Sequence, residues 1–281
     1  MRVAVTGADG FTGRYLLPEL ARRGHEPVPL VADIADARAL AAEVTAAAPD
    51  AIVHLAARAF VADDDYAGFY TVNQVGTFHL LDATARARPG ARVILASTAQ
   101  VYGAQAAGLL VEDRPVLPAN HYALSKAAME AGSRFWADRL RITVVRPFNY
   151  TGVGQEGRYL VPKIIDHFRR RAPLIELGNL DVRRDFGDVR AVADAYAGLL
   201  EASAPPAVVN VAAGVLESVR GIVARLEALT GHAMDVRVNP AFVRADDVPE
   251  LGGDVGRLRA ALPGWRPRPL AETLPWMLDA A

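Results

Sequence analysis

The chain has 281 residues, 52% of them hydrophobic, and a formal net charge of −1 at pH 7. That length and apolar content can build one large domain, or a main domain with a smaller lobe, around a sizeable core, and they exclude a disordered chain. Near-neutrality leaves no global field to hold nucleic acid or a membrane surface, and the absence of cysteine excludes disulfides, thiolate nucleophiles and cysteine metal sites.

The first predicted element is the apolar run from Arg2 to Thr6, which stops at Gly7-Ala8-Asp9-Gly10-Phe11-Thr12-Gly13 and passes into a helical pattern through Tyr15, Leu16, Leu17 and Leu20. Strand, glycine turn and helix in this order suit a dinucleotide diphosphate. Gly7 allows a tight turn, Gly10 allows close backbone approach to the diphosphate, and Gly13 lets the helix pack near the strand. Unpaired amides at the helix N-terminus, and its dipole, then face the negative charge. No charged and apolar leader precedes Arg2, and no apolar run approaches the length of a membrane span, so a cytoplasmic protein is expected.

Pro27 to Val31 reads as the second strand, with no acid at its tip. Asp33 lies twenty positions beyond Gly13, at the distance of an acid that binds a ribose 2′-hydroxyl, but past the strand, where it suits the adenine. Ala35 to Ala48 reads as a helix, and Ala51 to Ala57 as a strand ending in small residues that leave room for a nucleotide. His54, inside that strand, is expected to be a hydrogen-bonded core residue and not a catalyst. Asp63-Asp64-Asp65 reads as a solvated loop, and the six histidines show no metal-binding pairing.

Asn73-Gln74-Val75-Gly76-Thr77 opens a further helix, and the strand Arg92 to Ala96 delivers Ser97 and Thr98 to the ligand side of an open sheet. From Tyr122 the pattern is helical again, so Tyr122 and Lys126, at i and i+4, share one face. Lys126 stands out because only it and Lys163 are lysines beside 29 arginines. An ammonium is a compact, rotatable donor that can approach a phenol and a ribose hydroxyl, which the broad guanidinium fork does not reproduce. A tyrosine, a nearby ammonium and a hydroxyl together make an acid for a carbonyl oxygen. No G-x-S-x-G elbow is present, and neither lysine sits in a Walker loop.

These residues resemble the extended short-chain dehydrogenase/reductase family, the nucleotide-sugar epimerases, dehydratases and reductases. The resemblance spans nearly the whole chain: Gly7, Gly10 and Gly13; Asp33-Ile34; His54 to Ala57; Asn73 with Gly76-Thr77; Thr98 with Tyr102-Gly103; Tyr122 with Lys126; and Arg146 to Asn149. The second half is most similar to the GDP-4-keto-6-deoxy-mannose reductases and GDP-mannose dehydratases, through Arg146 to Gly152, Gly178 to Phe186, Arg244 to Pro249, and Gly264-Trp265. Dehydratases of that group carry a carboxylate two residues after the active threonine; this chain has Gln100 there, after Ala99, and neither exchanges a proton near neutral pH. His121 before the active tyrosine, and Ala191 after Asp188-Val189-Arg190, also depart from the family pattern.

The resemblance implies a Rossmann-type doubly wound parallel sheet, from residues 1–150 with a return at about 180–205, and a substrate-binding lobe mainly from 151–281. It implies reduction of the C4 ketone of a nucleotide-linked 4-keto-6-deoxyhexose, GDP-4-keto-6-deoxy-mannose above others, to GDP-rhamnose or GDP-6-deoxy-talose. A nucleotide-sugar 4-epimerase is the alternative, and a non-catalytic dinucleotide-binding protein a third reading. Thr98, Tyr122 and Lys126 would be catalytic, with Lys126 drawing the Tyr122 phenol towards the working pH. Gly7, Gly10, Phe11, Thr12, Gly13, Asp33, Ile34, Leu55, Ala56, Ala57, Asn73, Tyr122 and Lys126 would hold the cofactor. NADPH is expected, because Val31 stands where NAD-preferring relatives carry an acid, with NAD as the alternative. Thr98, Asn149, Lys163, Arg184 and Arg244 would meet the nucleotide sugar, and a homodimer is implied through helices within Gly68–Ala85 and Leu124–Leu140. No metal is expected.

Overall fold

A computed structural model describes residues 1–59, 65–103, 107–243 and 248–280. In chain order the first half runs β1 (Arg2–Thr6), α1 (Gly13–Arg22), β2 (Glu26–Leu30), α2 (Ala37–Ala47), β3 (Ala51–His54) and a short α3 (Tyr66–Phe69). A π-helical turn, Tyr70–Gly76, leads into α4 (Thr77–Ala87), followed by β4 (Arg92–Ala96), β5 (Gly108–Leu110), α5 (His121–Ser133) and β6 (Arg141–Pro147). The second half adds β7 (Asn149–Thr151), α6 (Leu160–Arg169), β8 (Leu174–Leu177), β9 (Arg183–Asp188), α7 (Val189–Glu201) and β10 (Val208–Val211). It continues with β11 (Leu216–Ser218), α8 (Val219–Thr230), β12 (Asp235–Val238), β13 (Glu250–Gly253), α9 (Gly256–Ala261) and α10 (Leu270–Asp279).

Six strands form a parallel sheet in the order β10-β6-β4-β3-β1-β2. Central strands of such a sheet are covered on both faces, so they read as unbroken apolar runs. Val3, Ala4 and Val5 of β1, like Ile52 and Val53 of β3, accordingly have no exposed surface. One face packs on α1 and α7 through Leu16, Leu20, Val192 and Leu199, and the other on α2, α4 and α5 through Leu40, Val44, Leu80, Leu81 and Met129. This is the doubly wound, Rossmann-type α/β fold. Strand order reverses between β1 and β3, and their carboxyl ends open the crevice where sheets of this kind bind ligands. The chain rejoins the large sheet with α7 and β10, so its return ends at Val211.

Two expected boundaries shift for local reasons. The third strand stops at His54 and not at Ala57, because its neighbour β1 ends at Thr6 and the backbone turns at Gly7 with φ +65°. The helix read from Asn73 starts earlier, and Asn73 lies within the π-helical turn.

The other strands form a small sheet, β11-β9-β13-β5 with β7 beside β9, and a pair, β12-β8. With α6, α8 and α10 they enclose a second core that includes Ile164, Phe168, Ile175, Ile222, Leu226 and Leu274. Helix α10 also reaches back to α1: Trp276 meets the edge of Tyr15 at 5.9 Å between ring centroids, with the Arg190 guanidinium 3.7 Å from the Trp276 ring centroid.

Asp185 on β9 ties the small sheet to the segment leaving the large one. Its carboxylate, fully buried, accepts from the amides of Ala213 and Gly214, both at 2.7 Å, and also from those of Val215 and Gly253. Burial pushes its pKa up to about 6 in spite of these amides. An Asp185→Asn side chain would turn an NH₂ towards amides that need an acceptor. Urea unfolding of that variant is expected to show a loss of about 1–3 kcal/mol, the cost of buried groups left unpaired, and wild-type stability would remove Asp185 from this role.

Candidate active site

Tyr122 and Lys126 occupy the first two turns of α5, which is capped by Asn120 accepting from the Ala123 amide at 2.8 Å. Their shared face is turned inward, leaving Tyr122 8% and Lys126 2% exposed. The Lys126 ammonium donates to the carbonyl of Ala96, the last residue of β4, at 2.7 Å. Two residues on, Thr98 accepts from the Gln100 amide at 3.2 Å and hydrogen-bonds the Tyr122 phenol. Phenol, hydroxyl and ammonium are thus brought together at the carboxyl end of β4.

Lys126 does not draw the Tyr122 phenol towards neutral pH as expected. Burial raises the Tyr122 pKa well above its ordinary value, with the Thr98 hydrogen bond acting the other way. The ammonium is turned to Ala96, and burial pulls its own pKa down to about 8, against the opposing charge of Glu130 one turn along the helix. The phenol is therefore held protonated.

His54 is a buried structural group, as expected. The Thr77 hydroxyl donates to the Asn73 carbonyl at 2.8 Å, and this leaves its oxygen to accept from His54 Nε2 at 2.8 Å. Nδ1 of the ring then accepts from the Thr6 hydroxyl at 2.7 Å. Burial, helped by the Lys126 charge, lowers the His54 pKa to about 3, so the ring stays neutral.

At the crevice, a Cβ on Gly7 would lie 2.8 Å from the Ala56 nitrogen, and one on Gly13 would lie 2.4 Å from the Ala8 carbonyl oxygen. Both glycines are therefore needed for close backbone packing, while Gly10 is exposed at the turn. Among the described residues, none accepts a hydrogen bond from the Phe11 or Thr12 amide, and Thr12 does not cap its own helix. Open amides at a helix N-terminus fit a diphosphate. Leu55, Ala56 and Ala57 border the turn, with Ala56 donating to the Thr6 hydroxyl at 3.2 Å. Asp33 is exposed and accepts from Ala35 at 2.9 Å, whereas Ile34 is buried beneath Gly76. Val31 is 86% exposed at the tip of β2, where the Glu43 carboxylate accepts from the amides of Val31 and Ala32.

The Asn73 side chain is buried and fully engaged with protein: it accepts from the Arg58 amide at 2.9 Å and donates to the Arg58 carbonyl and the Ser125 hydroxyl, both at 3.0 Å. It holds the backbone that borders the crevice against α5. Beneath Thr98, Ser97 donates to Glu130, which pairs with Arg146 at 2.6 Å; Arg146 donates to Tyr102 at 3.1 Å, and Tyr102 to Asn210 at 2.7 Å. Sequence reasoning gave Ser125, Glu130 and Tyr150 no role. Arg146 carried a usable signal, since a cation at the end of the apolar run Ile142 to Val145 requires a buried acid.

Of the residues expected at the substrate, Thr98 stands at the end of β4, while Asn149, Lys163 and Arg184 lie on β7, α6 and β9. Asn149 is exposed on β7, and Arg184, on β9, donates to the Arg183 carbonyl at 2.9 Å. Lys163 donates to the Glu176 carbonyl at 2.8 Å with its ammonium 4.8 Å from the Phe242 ring centroid. Arg244 lies outside the described residues, as do Asp63 and Asp64 of the acidic run. No group of three His, Asp or Glu side chains able to hold a metal occurs among the described residues, and no helix is long and apolar enough to cross a membrane.

Comparison with known proteins identifies the family of the chain. The chain is 37% identical to GDP-6-deoxy-D-talose 4-dehydrogenase of Aggregatibacter actinomycetemcomitans, over 92% of this chain and 90% of that one. It is 32% identical to GDP-6-deoxy-D-mannose reductase of Pseudomonas aeruginosa, over 95% and 92% of the two chains. The solved structure of RMD from Pseudomonas aeruginosa complexed with NADPH superposes with a TM-score of 0.90 at 30% identity, covering 99% of this chain and 97% of that one. The model of the NAD dependent epimerase/dehydratase family matches residues 3–212. The chain therefore belongs to this family, the extended short-chain dehydrogenases/reductases, and is an NAD(P)-dependent enzyme of nucleotide sugars.

Proposed function

We propose that the protein reduces the C4 ketone of a GDP-linked 4-keto-6-deoxyhexose, GDP-4-keto-6-deoxy-mannose, to GDP-rhamnose or its C4 epimer GDP-6-deoxy-talose, with NADPH as the preferred cofactor. The observation that carries this reading is the buried, protonated Tyr122 phenol hydrogen-bonded to Thr98 beside Lys126. A general acid must carry its proton before the reaction, and it gives that proton most readily when its pKa lies near the working pH. The names of the two relatives support the hexose and the base.

The nicotinamide, when bound, supplies a hydride to C4. Tyr122 gives its proton to the C4 oxygen, so ketone becomes alcohol and phenol becomes phenolate, which solvent reprotonates. Thr98 donates a hydrogen bond to the same oxygen, where charge develops. Lys126 holds a ribose hydroxyl of the cofactor. Gly7 to Gly13 receive the diphosphate of the cofactor, while Asn149, Arg184, Lys163 and Arg244 serve the nucleotide sugar, with arginine suited to bidentate phosphate contacts. Gln100, whose side-chain oxygen accepts from Asn120 at 3.2 Å, cannot act as the acid or base of a dehydration. We also propose a homodimer, since α4 and α5 pack side by side and Leu124 of α5 and Phe135 just beyond its end are left exposed.

Absorbance at the nicotinamide band decides the reaction class. Stoichiometric loss of NADPH with GDP-4-keto-6-deoxy-mannose is expected; unchanged absorbance with an isomerised product would mean an epimerase. Tyr122→Phe is expected to lower kcat by at least about 10²-fold while cofactor titration stays unchanged, and equal turnover would sink the mechanism. The pH profile of kcat/KM should fall as pH rises above about 8, where buried Lys126 loses its proton, with no matching fall from Tyr122, whose pKa lies higher. A rate flat through pH 10 would remove Lys126 from its charged role.

A further inference from the structure

We propose that Tyr150 is a positioning residue for the dinucleotide, holding Phe11 and Thr12 so that the amides of the glycine turn remain open to a diphosphate. This rests on the reading that a nicotinamide dinucleotide occupies that turn. A threonine at a helix N-cap ordinarily turns its oxygen onto an amide of its own first turn. Thr12 makes no such bond. Its hydroxyl is paired with the Tyr150 hydroxyl at 2.7 Å, although Thr12 follows β1 of the large sheet and Tyr150 lies on β7 beside β9. The Tyr150 ring lies nearly parallel to Phe11, with 5.9 Å between centroids and 10° between planes, and Tyr15 meets the other edge of Phe11 at 5.9 Å.

Tyr150 can hold the turn because its own backbone is fixed. It pairs with Gly187 in the register of β7 on β9, and its carbonyl accepts from the Gln155 side chain at 3.1 Å. Gln155 in turn accepts from the Thr151 hydroxyl at 2.8 Å. One phenol therefore fixes both the Thr12 hydroxyl and the aromatic ring beside it at the start of the helix. The turn is preorganised, and the ordering that a flexible loop would undergo on binding is avoided.

The test is a fluorescence titration of NADPH into wild type, Tyr150→Phe, Thr12→Val and the double variant, with thermal midpoints recorded on the same samples. Tyr150→Phe removes only the hydroxyl and is expected to weaken NADPH binding about fivefold, the worth of one hydrogen bond. KM for the nucleotide sugar should stay unchanged. The double variant should bind no more weakly than the weaker single variant, because both singles break the same bond. Binding of Tyr150→Phe within about twofold of wild type, or losses that multiply in the double variant, would overturn the inference. Tyr150→Leu, which also removes the stacked ring, should bind more weakly than Tyr150→Phe; if it does not fold, the hydroxyl variants decide alone. Failure of the wild type to bind either NADPH or NADH would overturn the reading of the site itself, a distinct result.

Discussion

The site depends on an ammonium buried in the interior of the fold. Lys126 is 2% exposed, with its charge held by one backbone carbonyl at the end of β4 and by the acid one turn along α5. Taking a cation out of water is costly unless partners are placed for it, so α5 and β4 must keep a fixed mutual position for Lys126 to be charged at all. The polar chain beneath, from Ser97 through Glu130 and Arg146 to Tyr102 and Asn210, runs between the same elements and β10. Its members satisfy one another, as a buried network must if it is to rigidify the structure around it. Tyr122 takes its position from this frame, one helical turn before Lys126.

The same burial separates two properties that sequence reasoning had joined. A phenol four residues from a lysine suggests that the cation stabilises phenolate, but that effect needs the ammonium to face the phenol without competing desolvation. Here the ammonium is turned to Ala96, and loss of water acts on both groups towards their neutral forms. A phenol that keeps its proton results, with the cation available to a ligand that enters the crevice.

The large sheet was legible in the sequence because its central strands are apolar on both faces and its glycine turn follows β1 directly. The proximity of Thr98, Tyr122 and Lys126 was legible because a strand end and an i, i+4 pair leave little freedom. Partners across the fold were not. Asn73 is a cofactor ligand by family resemblance, yet its amide is taken by Arg58 and Ser125, and only tertiary contact decides that. Tyr150 has no readable role until β7 sets it against Phe11. The π-helical turn at Tyr70–Gly76 has an apolar pattern close enough to a regular helix to hide the change of period.

The contact between Tyr15 and Trp276 has a consequence for the order in which the molecule is assembled. Helix α1 lies near the start of the chain and α10 near its end, yet the ring of one closes on the ring of the other beside Phe11. During synthesis the glycine turn after β1 can form early, from local contacts, but the aromatic surface next to it stays uncovered until α10 leaves the ribosome. Contacts of such sequence separation form late and slowly. A nascent chain would therefore carry the Phe11 and Tyr15 rings uncovered from the synthesis of α1 until that of α10, exposed to chaperones or to other chains.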